Sequence, residues 1–265
     1  MISSSFPAVV TAAGAATRFR PFSRCVPKEM LPVGSIPAVE HVIAECLAAG
    51  ASEVVVVTRP GDSTIPEHVG QLRSEGAPVE TIEEDLDHGY GNAAPLLSLR
   101  HRLTNCDAFA VAFGDDLLLG EPTPGYNLAT MRQRSVDAEA MIAGQMIPVG
   151  AVESFGIIDT EPQQPNRVRS IRQRPHPGEV GEPLAVVSRL ILRPSIFDHL
   201  AASEQARGEV DLGIAVGNLA SVARVAVHRI TGSWVTVGDP LHYLDALKTY
   251  WQLDPAQPTY REGQS

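Results

Sequence analysis

The chain has 265 residues, of which 44% are hydrophobic and 20% charged, and this composition predicts a soluble globular protein with a sizeable core. Its formal net charge of −10 argues against a nucleic-acid partner, because binding to a phosphate backbone requires a basic face. No apolar run approaches the roughly 20 residues of a membrane span, and residues 1–10 lack the basic segment of a secretory signal. The three cysteines show neither disulfide nor zinc spacing, so we expect a cytoplasmic protein with no membrane partner.

Apolar runs alternate with helical periodicity at the start of the chain. Pro7–Ala13 is a short apolar run that predicts a buried strand ending in a glycine loop, and Val54–Val57 predicts a second buried strand. Between them, Ala38–Ala49 has apolar side chains at helical spacing, and Gly50 suits the end of that helix. A strand, a helix and a strand in this order predict a βαβ unit and a parallel sheet.

The same alternation continues through the first half of the chain and then changes. We expect a helix over Gly91–Leu103 and strands over Ala108–Phe113 and Ala138–Met146. After Val149 the apolar runs are shorter and are broken by proline and glycine, which predicts antiparallel strands before a closing helix over Pro240–Tyr250.

These elements predict an α/β fold with a doubly wound, mostly parallel, Rossmann-like sheet and an antiparallel insertion in the second half. Residues 1–252 are expected to form a single domain. Residues 253–265 are polar and contain proline, and we expect them to be a disordered tail.

Two motifs near the N-terminus combine a basic side chain with a distinctive backbone segment: a loop of small residues followed by an arginine, and a lysine flanked by prolines. In doubly wound sheets the ligand lies beyond the carboxyl ends of the strands, where the small residues Ala12–Ala16 and then Arg18 follow the first strand. Small residues let backbone N–H groups approach a phosphate, and an arginine adds a charge-assisted hydrogen bond. Lys28 lies between Pro27 and Pro32, and this stiff backbone fixes the direction of its ammonium group. Alone, the loop fits a tight turn with a surface arginine equally well, and the lysine run is better explained by a solvated surface lysine. The loop matches neither the Walker loop nor the dinucleotide fingerprint.

Together the two motifs form one ordered string, A-A-G-x-x-T-R-x-x-P-x-x-x-x-x-P-K-E-M-L-P, over residues 12–32. This string resembles the signature of the nucleotide-sugar pyrophosphorylases, also called sugar-1-phosphate nucleotidyltransferases. Within that family it is most similar to the bacterial UTP–glucose-1-phosphate uridylyltransferases. The resemblance implies an enzyme with two small-molecule substrates, a nucleoside triphosphate and a sugar 1-phosphate, and with Mg²⁺ as its cofactor. Relatives assemble as dimers or tetramers, so it also makes a homo-oligomer possible.

The resemblance further implies roles for individual residues, with nucleotide binding in about 1–150 and sugar binding in about 151–252. The residues expected to bind the nucleotide are Ala12, Ala13, Gly14, Ala15, Glu84 and Gly89. The residues expected to supply catalytic cations are Arg18, Lys28 and Arg174. The residues expected to bind the sugar are Gly156, Gln173 and Glu209. The residues expected to hold the metal are Asp115, which follows a buried strand and for which a turn aspartate is the alternative interpretation, and Asp239.

Two departures from the family pattern concern the nucleotide. Ala16 stands where the family usually has a second glycine, so close approach of a phosphate is expected to be hindered. Glu84 stands where a glutamine usually contacts uracil, and an ionised carboxylate only accepts hydrogen bonds. It would suit the donors of guanine better than uracil, unless Glu84 is simply a solvated loop residue.

Other departures concern the sugar and the metal. Gln173 and Arg174 replace an acid and a lysine, and Pro183 replaces an asparagine, so the sugar need not be glucose. Thr236 stands where the second metal-binding aspartate is expected, and Asp239 or Asp116 would have to substitute. UTP and glucose 1-phosphate are therefore the default substrates. The alternatives are GTP or another sugar-like phosphate, or a catalytically impaired member of the family that binds a nucleotide or nucleotide sugar.

Overall fold

A nine-stranded sheet runs through the described residues, 5–200 and 209–253, of a computed structural model. The strands are β1 (Pro7–Ala12), β2 (Pro32–Val33), β3 (Ile36–Pro37), β4 (Glu53–Thr58), β5 (Val79–Glu83), β6 (Phe109–Phe113), β7 (Asp116–Leu119), β8 (Ala140–Met146), β9 (Gly156–Glu161), β10 (Gln164–Gln173), β11 (Leu184–Leu192), β12 (Val225–Arg229) and β13 (Ser233–Thr236). The helices are α1 (Ala38–Ala48), α2 (Thr64–Ser74), α3 (Ala94–Leu97), α4 (Arg100–Leu103), α5 (Tyr126–Arg134), α6 (Leu212–Ala220) and α7 (Pro240–Leu253).

The order of strands in the large sheet is β5-β4-β1-β6-β11-β8-β12-β10-β9. β5, β4, β1 and β6 are parallel, whereas β11 is antiparallel to both of its neighbours, β6 and β8. β12 is parallel to β8, and β10 and β9 follow in antiparallel pairing. The expected α/β class is therefore confirmed, with a mixed sheet. The antiparallel strands are not confined to an added lobe, because β11 lies at the centre of the sheet.

The strands of the second half curl around a space of their own. β9 pairs with β10 over much of its length, and it also contacts β11 at Ile157 and Ala185. The five strands β11, β8, β12, β10 and β9 thus close on themselves. This curl creates a concave surface next to the carboxyl ends of β1 and β6.

Alternate residues of β1 belong to two different hydrophobic clusters, as expected for a strand that is buried on both faces. Val9 belongs to a cluster that includes residues of α3, α4 and α6. Ala8 and Val10 belong to the other cluster, together with residues of α1, α2 and α5. The core therefore lies on both sides of the sheet, and both faces of β1 are covered.

Two further two-stranded sheets lie outside the large sheet. β2 pairs with β3, and β7 pairs with β13 in antiparallel register, with Asp116 opposite Thr236. The second pairing brings a segment near the end of the chain to the loop after β6. Among the described residues, no helix has both the length and the apolar character required to cross a bilayer.

The helix expected over Gly91–Leu103 is wrong in its extent. The structure has two short helices there, and the first begins at Ala94. Gly91 has a φ of 142°, and a Cβ at this position would lie 2.2 Å from the carbonyl oxygen of Val210. A φ of 142° is far from the helical value, so the helix cannot include Gly91, and the close approach of residue 210 requires a glycine there. The expected tail, 253–265, lies outside the described residues except for Leu253, which is the last residue of α7.

Candidate active site

The carboxyl ends of β1 and β6 lie side by side. Thr11 is in register with Phe113, and the Gly114 N–H donates to the Thr11 carbonyl oxygen at 2.9 Å. A Cβ at Gly114 would approach that oxygen to 3.2 Å, so the glycine permits this contact. As a result, the small-residue loop after Ala12 and the aspartate after β6, Asp115, border the same space. This is the edge of the sheet at which ligands bind in open α/β folds.

Lys28 crosses the small-residue loop and contacts Asp115. A Cβ at Gly14 would lie 3.2 Å from Lys28 Cε. The ammonium group donates to Asp115 Oδ2 in a short contact, and it lies 3.0 Å from Glu29 Oε1. The Lys28 side chain is only 12% exposed, and burial opposes its charge, yet Asp115 and Glu29 hold its pKa above the usual value. The structure therefore holds a charged, oriented ammonium group over the loop.

Among Lys28, Asp115 and Glu29, Glu29 is unusual because it is a carboxylate that is almost completely buried. Its side chain is 1% exposed, and burial raises its pKa although Lys28 opposes the shift. The second carboxylate oxygen, Oε2, is buried and has no hydrogen-bond partner among the described residues. Glu29 is therefore the buried counter-ion of Lys28.

Arg18 and Asp239 form a second ion pair at the rim. Arg18 Nη1 donates to Asp239 Oδ2 at 3.1 Å, and the Arg18 side chain is 71% exposed, so it is free to turn toward a ligand. Asp239 caps α7, because its Oδ1 accepts the N–H groups of Leu241 and His242 at 3.1 Å each. Burial raises the pKa of Asp239, but the hydrogen bonds from His242 and Arg18 outweigh it and hold the pKa below its usual value. Both oxygens of Asp239 thus have protein partners.

Thr236 connects the end of β13 to the loop after β6. Its hydroxyl donates to the Asp115 carbonyl oxygen at 3.2 Å and accepts the Gly238 N–H at 3.1 Å. The Val237 N–H donates to the same carbonyl oxygen at 2.7 Å. Thr236 therefore fixes the backbone of Asp115 where a second carboxylate was expected.

Whether these residues can bind Mg²⁺ depends on how many carboxylate oxygens they offer to it. Mg²⁺ commonly uses one or two carboxylates, keeps several waters and takes the remaining ligands from substrate phosphates. In the described parts of the chain, no group of three or more His, Cys, Asp or Glu side chains is placed to hold a metal by itself. The residues fit a metal ion that Asp115 would share with a bound phosphate, because Lys28 contacts only Oδ2 of Asp115, whereas both oxygens of Asp239 have protein partners.

A cavity of about 200 Å³ opens inside the curled strands, next to Trp234 and the start of α6. Its polar side is a chain of side chains, in which Gln173 Nε2 donates to Asp211 Oδ1 at 3.3 Å and Asn92 Nδ2 donates to Asp211 Oδ2 at 3.2 Å. Gly156 and Gly213 make room for Gln173, because a Cβ on Gly213 would lie 2.4 Å from its Nε2. The structure thus brings the expected residues Gly156 and Gln173 together in one pocket.

Arg174 and Glu209 do not line that cavity. Arg174 is exposed, has a φ of 51° and is held by its N–H, which donates to the Phe155 carbonyl oxygen at 3.0 Å. Glu209 is exposed, whereas Asp211, two residues later, lines the pocket. Sequence reasoning missed Asp211, although its side chain caps α6 through the Ile214 N–H at 2.8 Å. An aspartate in front of the apolar helix L-G-I-A-V is the signal that would have drawn attention to it.

Glu84 and Gly89 follow β5, in a segment that precedes α3. Glu84 is tied to β4 by its N–H, which donates to the Thr58 carbonyl oxygen at 2.8 Å. Its side chain is half-buried, and burial raises its pKa. Gly89 has a φ of 87° and ends the short turn over Leu86–His88. The structure therefore places both residues in the connection between β5 and α3.

A buried polar network lies beneath Asp115, and sequence reasoning missed it. Asp116 is buried and accepts a hydrogen bond from Ser188, and burial together with Asp115 raises its pKa. Arg189 is fully buried and donates to Glu45 through two contacts of 2.7 Å. The same guanidinium donates to the Asp116 carbonyl oxygen at 2.9 Å. The network therefore holds the backbone next to Asp115 from inside the core.

The chain is similar to several known proteins over most of its length. A UTP–glucose-1-phosphate uridylyltransferase of Bacillus subtilis is 27% identical over 261 residues, which cover 89% of this chain and 88% of the relative. Another, from Staphylococcus saprophyticus, is 28% identical and covers 89% of each chain. Among solved structures, a UTP-bound UGPase from Acinetobacter baumannii is 26% identical and has a TM-score of 0.78, with 95% of each chain covered.

A UDP-glucose pyrophosphorylase complexed with UDP-glucose shares the fold at 22% identity, with a TM-score of 0.78 over 93% of this chain and 98% of the other. The family model described as nucleotidyl transferase matches residues 7–252. The family that the string over residues 12–32 resembles is thereby confirmed: this chain belongs to the nucleotidyl transferase family.

Proposed function

We propose that the protein joins UTP to glucose 1-phosphate, forming UDP-glucose and releasing pyrophosphate. The observation that supports this most directly is Lys28, which is charged, almost buried and held over Gly14 by Asp115. An enzyme without a covalent intermediate needs such pre-positioned cations. The relatives named UTP–glucose-1-phosphate uridylyltransferase support the choice of substrates.

The proposed reaction is an in-line displacement. A phosphate oxygen of the sugar 1-phosphate attacks the α-phosphorus of the triphosphate, and pyrophosphate leaves. The backbone N–H groups of the loop at Gly14 would hold the phosphates, while Lys28 and Arg18 stabilise the negative charge of the transition state. Asp115 would hold Mg²⁺ together with a phosphate oxygen, and a bound metal ion neutralises charge on the phosphates.

The sugar is proposed to occupy the cavity beside Gly156, with its hydroxyl groups toward Gln173 and Asp211. Carboxylate and amide groups can accept and donate hydrogen bonds to several hydroxyls at once. Glu209 and Arg174 remain proposals for a closed, substrate-bound state, in which they would contact the sugar and its phosphate.

GTP is the second candidate for the nucleotide, and Glu84 is the observation that favours it. An ionised carboxylate accepts the N–H donors of guanine, whereas it would repel the carbonyl oxygens of uracil. Burial raises the pKa of Glu84, and a protonated carboxyl group could donate to uracil instead. The two nucleotides therefore differ in the protonation state that they require of one residue.

The proposal also includes the organisation of the whole chain. It treats residues 1–252 as one domain, with a doubly wound first half that is supported by the two hydrophobic clusters on opposite faces of β1. It places the enzyme in the cytoplasm and allows for a homo-oligomer.

The experiment is a measurement of pyrophosphate release with Mg²⁺, testing UTP, GTP, CTP, ATP and dTTP against a panel of sugar 1-phosphates. We expect release with UTP and glucose 1-phosphate, and a preference for GTP would instead identify Glu84 as the residue that selects the base. No release with any pair, despite stabilisation by a nucleotide in a thermal-shift assay, would favour the catalytically impaired alternative and overturn the proposal.

The same assay tests the site directly. Lys28→Ala should abolish turnover because it removes the cation, and circular dichroism checks that the variant is folded, since the change leaves the buried Glu29 without its counter-ion. Lys248→Ala is the matched control, since Lys248 is exposed on α7 and pairs only with Asp245 among the described residues. Undiminished activity of Lys28→Ala would rule out the proposed site.

A further inference from the structure

A second cavity, of about 290 Å³, lies on the far side of the curled strands and plays no part in the proposed reaction. Arginines from two segments line it: Arg134 lies at the end of α5, and Arg224 and Arg229 lie just before and at the end of β12. Asn166, on β10, adds an amide group. No carboxylate is among the residues that line this cavity.

The cavity backs onto the pocket proposed for the sugar. Successive residues of a strand point to opposite faces of its sheet. On β8, Ile142 lines the pocket inside the curl, and its neighbour Met141 lines the arginine cavity. The two cavities are therefore separated by the thickness of one strand, and they open on opposite sides.

The arginines of this cavity have few protein partners, and Arg134 and Arg224 are exposed. Neither Arg134 nor Arg224 has a side-chain hydrogen bond or ion pair with another residue in the ranges 5–200 and 209–253. Arg229 pairs with Glu182 at 3.1 Å, but its Nη1 is buried and has no hydrogen-bond partner within those ranges. Burial and the charge of Arg134 together lower the pKa of His228, the imidazole in the wall.

This arrangement is unusual for a chain with a formal net charge of −10, in which 31 acidic residues outnumber 21 lysines and arginines. Three guanidinium groups that converge on a concave surface repel one another unless an anion is present. Their planar, multiple N–H donors match the oxygen atoms of a phosphate. A volume of about 290 Å³ suits a small ligand better than a whole nucleotide.

We propose that Arg134, Arg224 and Arg229 form a binding site for a phosphate group, either as free phosphate or as part of a small phosphorylated metabolite. The amide of Asn166 supplies a further donor to the same anion. A ligand in this site lies against β8, whose other face borders the pocket proposed for the sugar. The inference concerns binding alone, and it does not depend on the proposed reaction.

The test is a titration with sodium phosphate against sodium chloride at matched ionic strength, read as thermal stabilisation. Saturating UTP without Mg²⁺ is added to every sample, so that a functional nucleotide site is filled. The Arg134→Gln/Arg224→Gln pair should weaken phosphate binding by about tenfold or more, because it removes two charge-assisted partners. Arg73→Gln is the matched control, since Arg73 is exposed on α2 and lies far along the chain from the cavity elements.

A second variant covers the case in which the pair does not fold. Asn166→Asp keeps all three arginines and places a carboxylate among them, and it should also weaken phosphate binding. Equal phosphate affinity in the wild type, Asn166→Asp and Arg73→Gln would overturn the proposal, whether or not the protein binds UTP. Tighter binding of glycerol phosphate than of inorganic phosphate would assign the site to a phosphorylated metabolite, and the reverse order would assign it to free phosphate.

Discussion

The buried ion pair between Glu45 and Arg189 is expected to affect stability asymmetrically. Arg189 is fully buried and Glu45 is 7% exposed, and two contacts of 2.7 Å join them. Removal of two charges from water is unfavourable by several kcal/mol for each ion, and only their mutual attraction offsets it. Glu45→Gln removes one charge and leaves the guanidinium buried without a counter-ion.

The structure sets the size of this effect. Breaking a buried pair by removing one partner typically costs about 3–5 kcal/mol. A glutamine can still accept one hydrogen bond from Arg189, so we expect Glu45→Gln to lie near the lower end, about 3 kcal/mol. The double variant Glu45→Gln/Arg189→Met removes both charges, and it loses mainly the hydrogen bonds to the carbonyl oxygens of Ser188 and Asp116. It should therefore be more stable than Glu45→Gln alone by about 1 kcal/mol or more.

The assay is urea-induced unfolding followed by circular dichroism, on the wild type and the variants Glu45→Gln, Arg189→Met and the double variant. Asp245→Asn is the control, because it breaks the exposed pair of Asp245 with Lys248 and should change stability by less than about 1 kcal/mol. The reasoning is refuted if Glu45→Gln loses no more stability than this control. It is also refuted if the two single effects simply add in the double variant, since then no coupling exists between the charges.

Three further predictions concern single positions. Ala16 has a φ of 45°, which costs a non-glycine residue about 1 kcal/mol, so Ala16→Gly should raise the urea midpoint slightly, and a lower midpoint would contradict the strain. Thr236→Asp should reduce the Mg²⁺ concentration needed for half-maximal pyrophosphate release, because it adds a carboxylate beside Asp115; Thr236→Asn is the uncharged control, and an equal effect of both would count against the idea. Burial raises the pKa of Asp159, but the hydrogen bonds from Arg172 lower it by more, so the pKa lies below its usual 3.8. The ionised carboxylate therefore stabilises the fold above pH 3.8, and this stabilisation is lost as the pH falls below that value. The loss of unfolding free energy caused by Asp159→Asn should accordingly diminish only below pH 3.8. A constant difference in stability between wild type and variant down to about pH 2 would be inconsistent with a lowered pKa of Asp159.

The sequence predicted local elements better than their arrangement. The expected strand Pro7–Ala13 and helix Ala38–Ala49 each end within one residue of β1 and α1. Both depend on apolar spacing within a short window, which is a local property. The position of β11 between β6 and β8 could not be predicted, because strand pairing depends on contacts between residues far apart in the chain.

The site shows the same division. The ordered string around Lys28 and the buried strand before Asp115 singled out both residues, but nothing in the sequence indicated that the two side chains form an ion pair. Arg189 was missed because a lone arginine in the apolar run L-A-V-V-S-R-L-I-L is usually expected to face solvent. Its partner, Glu45, is 144 residues away, so only the folded chain shows why the charge is buried.

The pairing of β7 with β13 has a consequence for the synthesis of the protein. Chains leave the ribosome from their N-terminal end, and early segments can begin to fold before later ones exist. β1, β4, β5 and β6 all belong to the first half, so this part of the sheet can pair while translation continues. The backbone of Asp115, however, acquires its partners Thr236 and Val237 only after more than a hundred further residues have been made. A nascent or prematurely terminated chain that stops before β13 would therefore form much of the sheet but leave the backbone of Asp115 without the two partners that hold it in the finished fold.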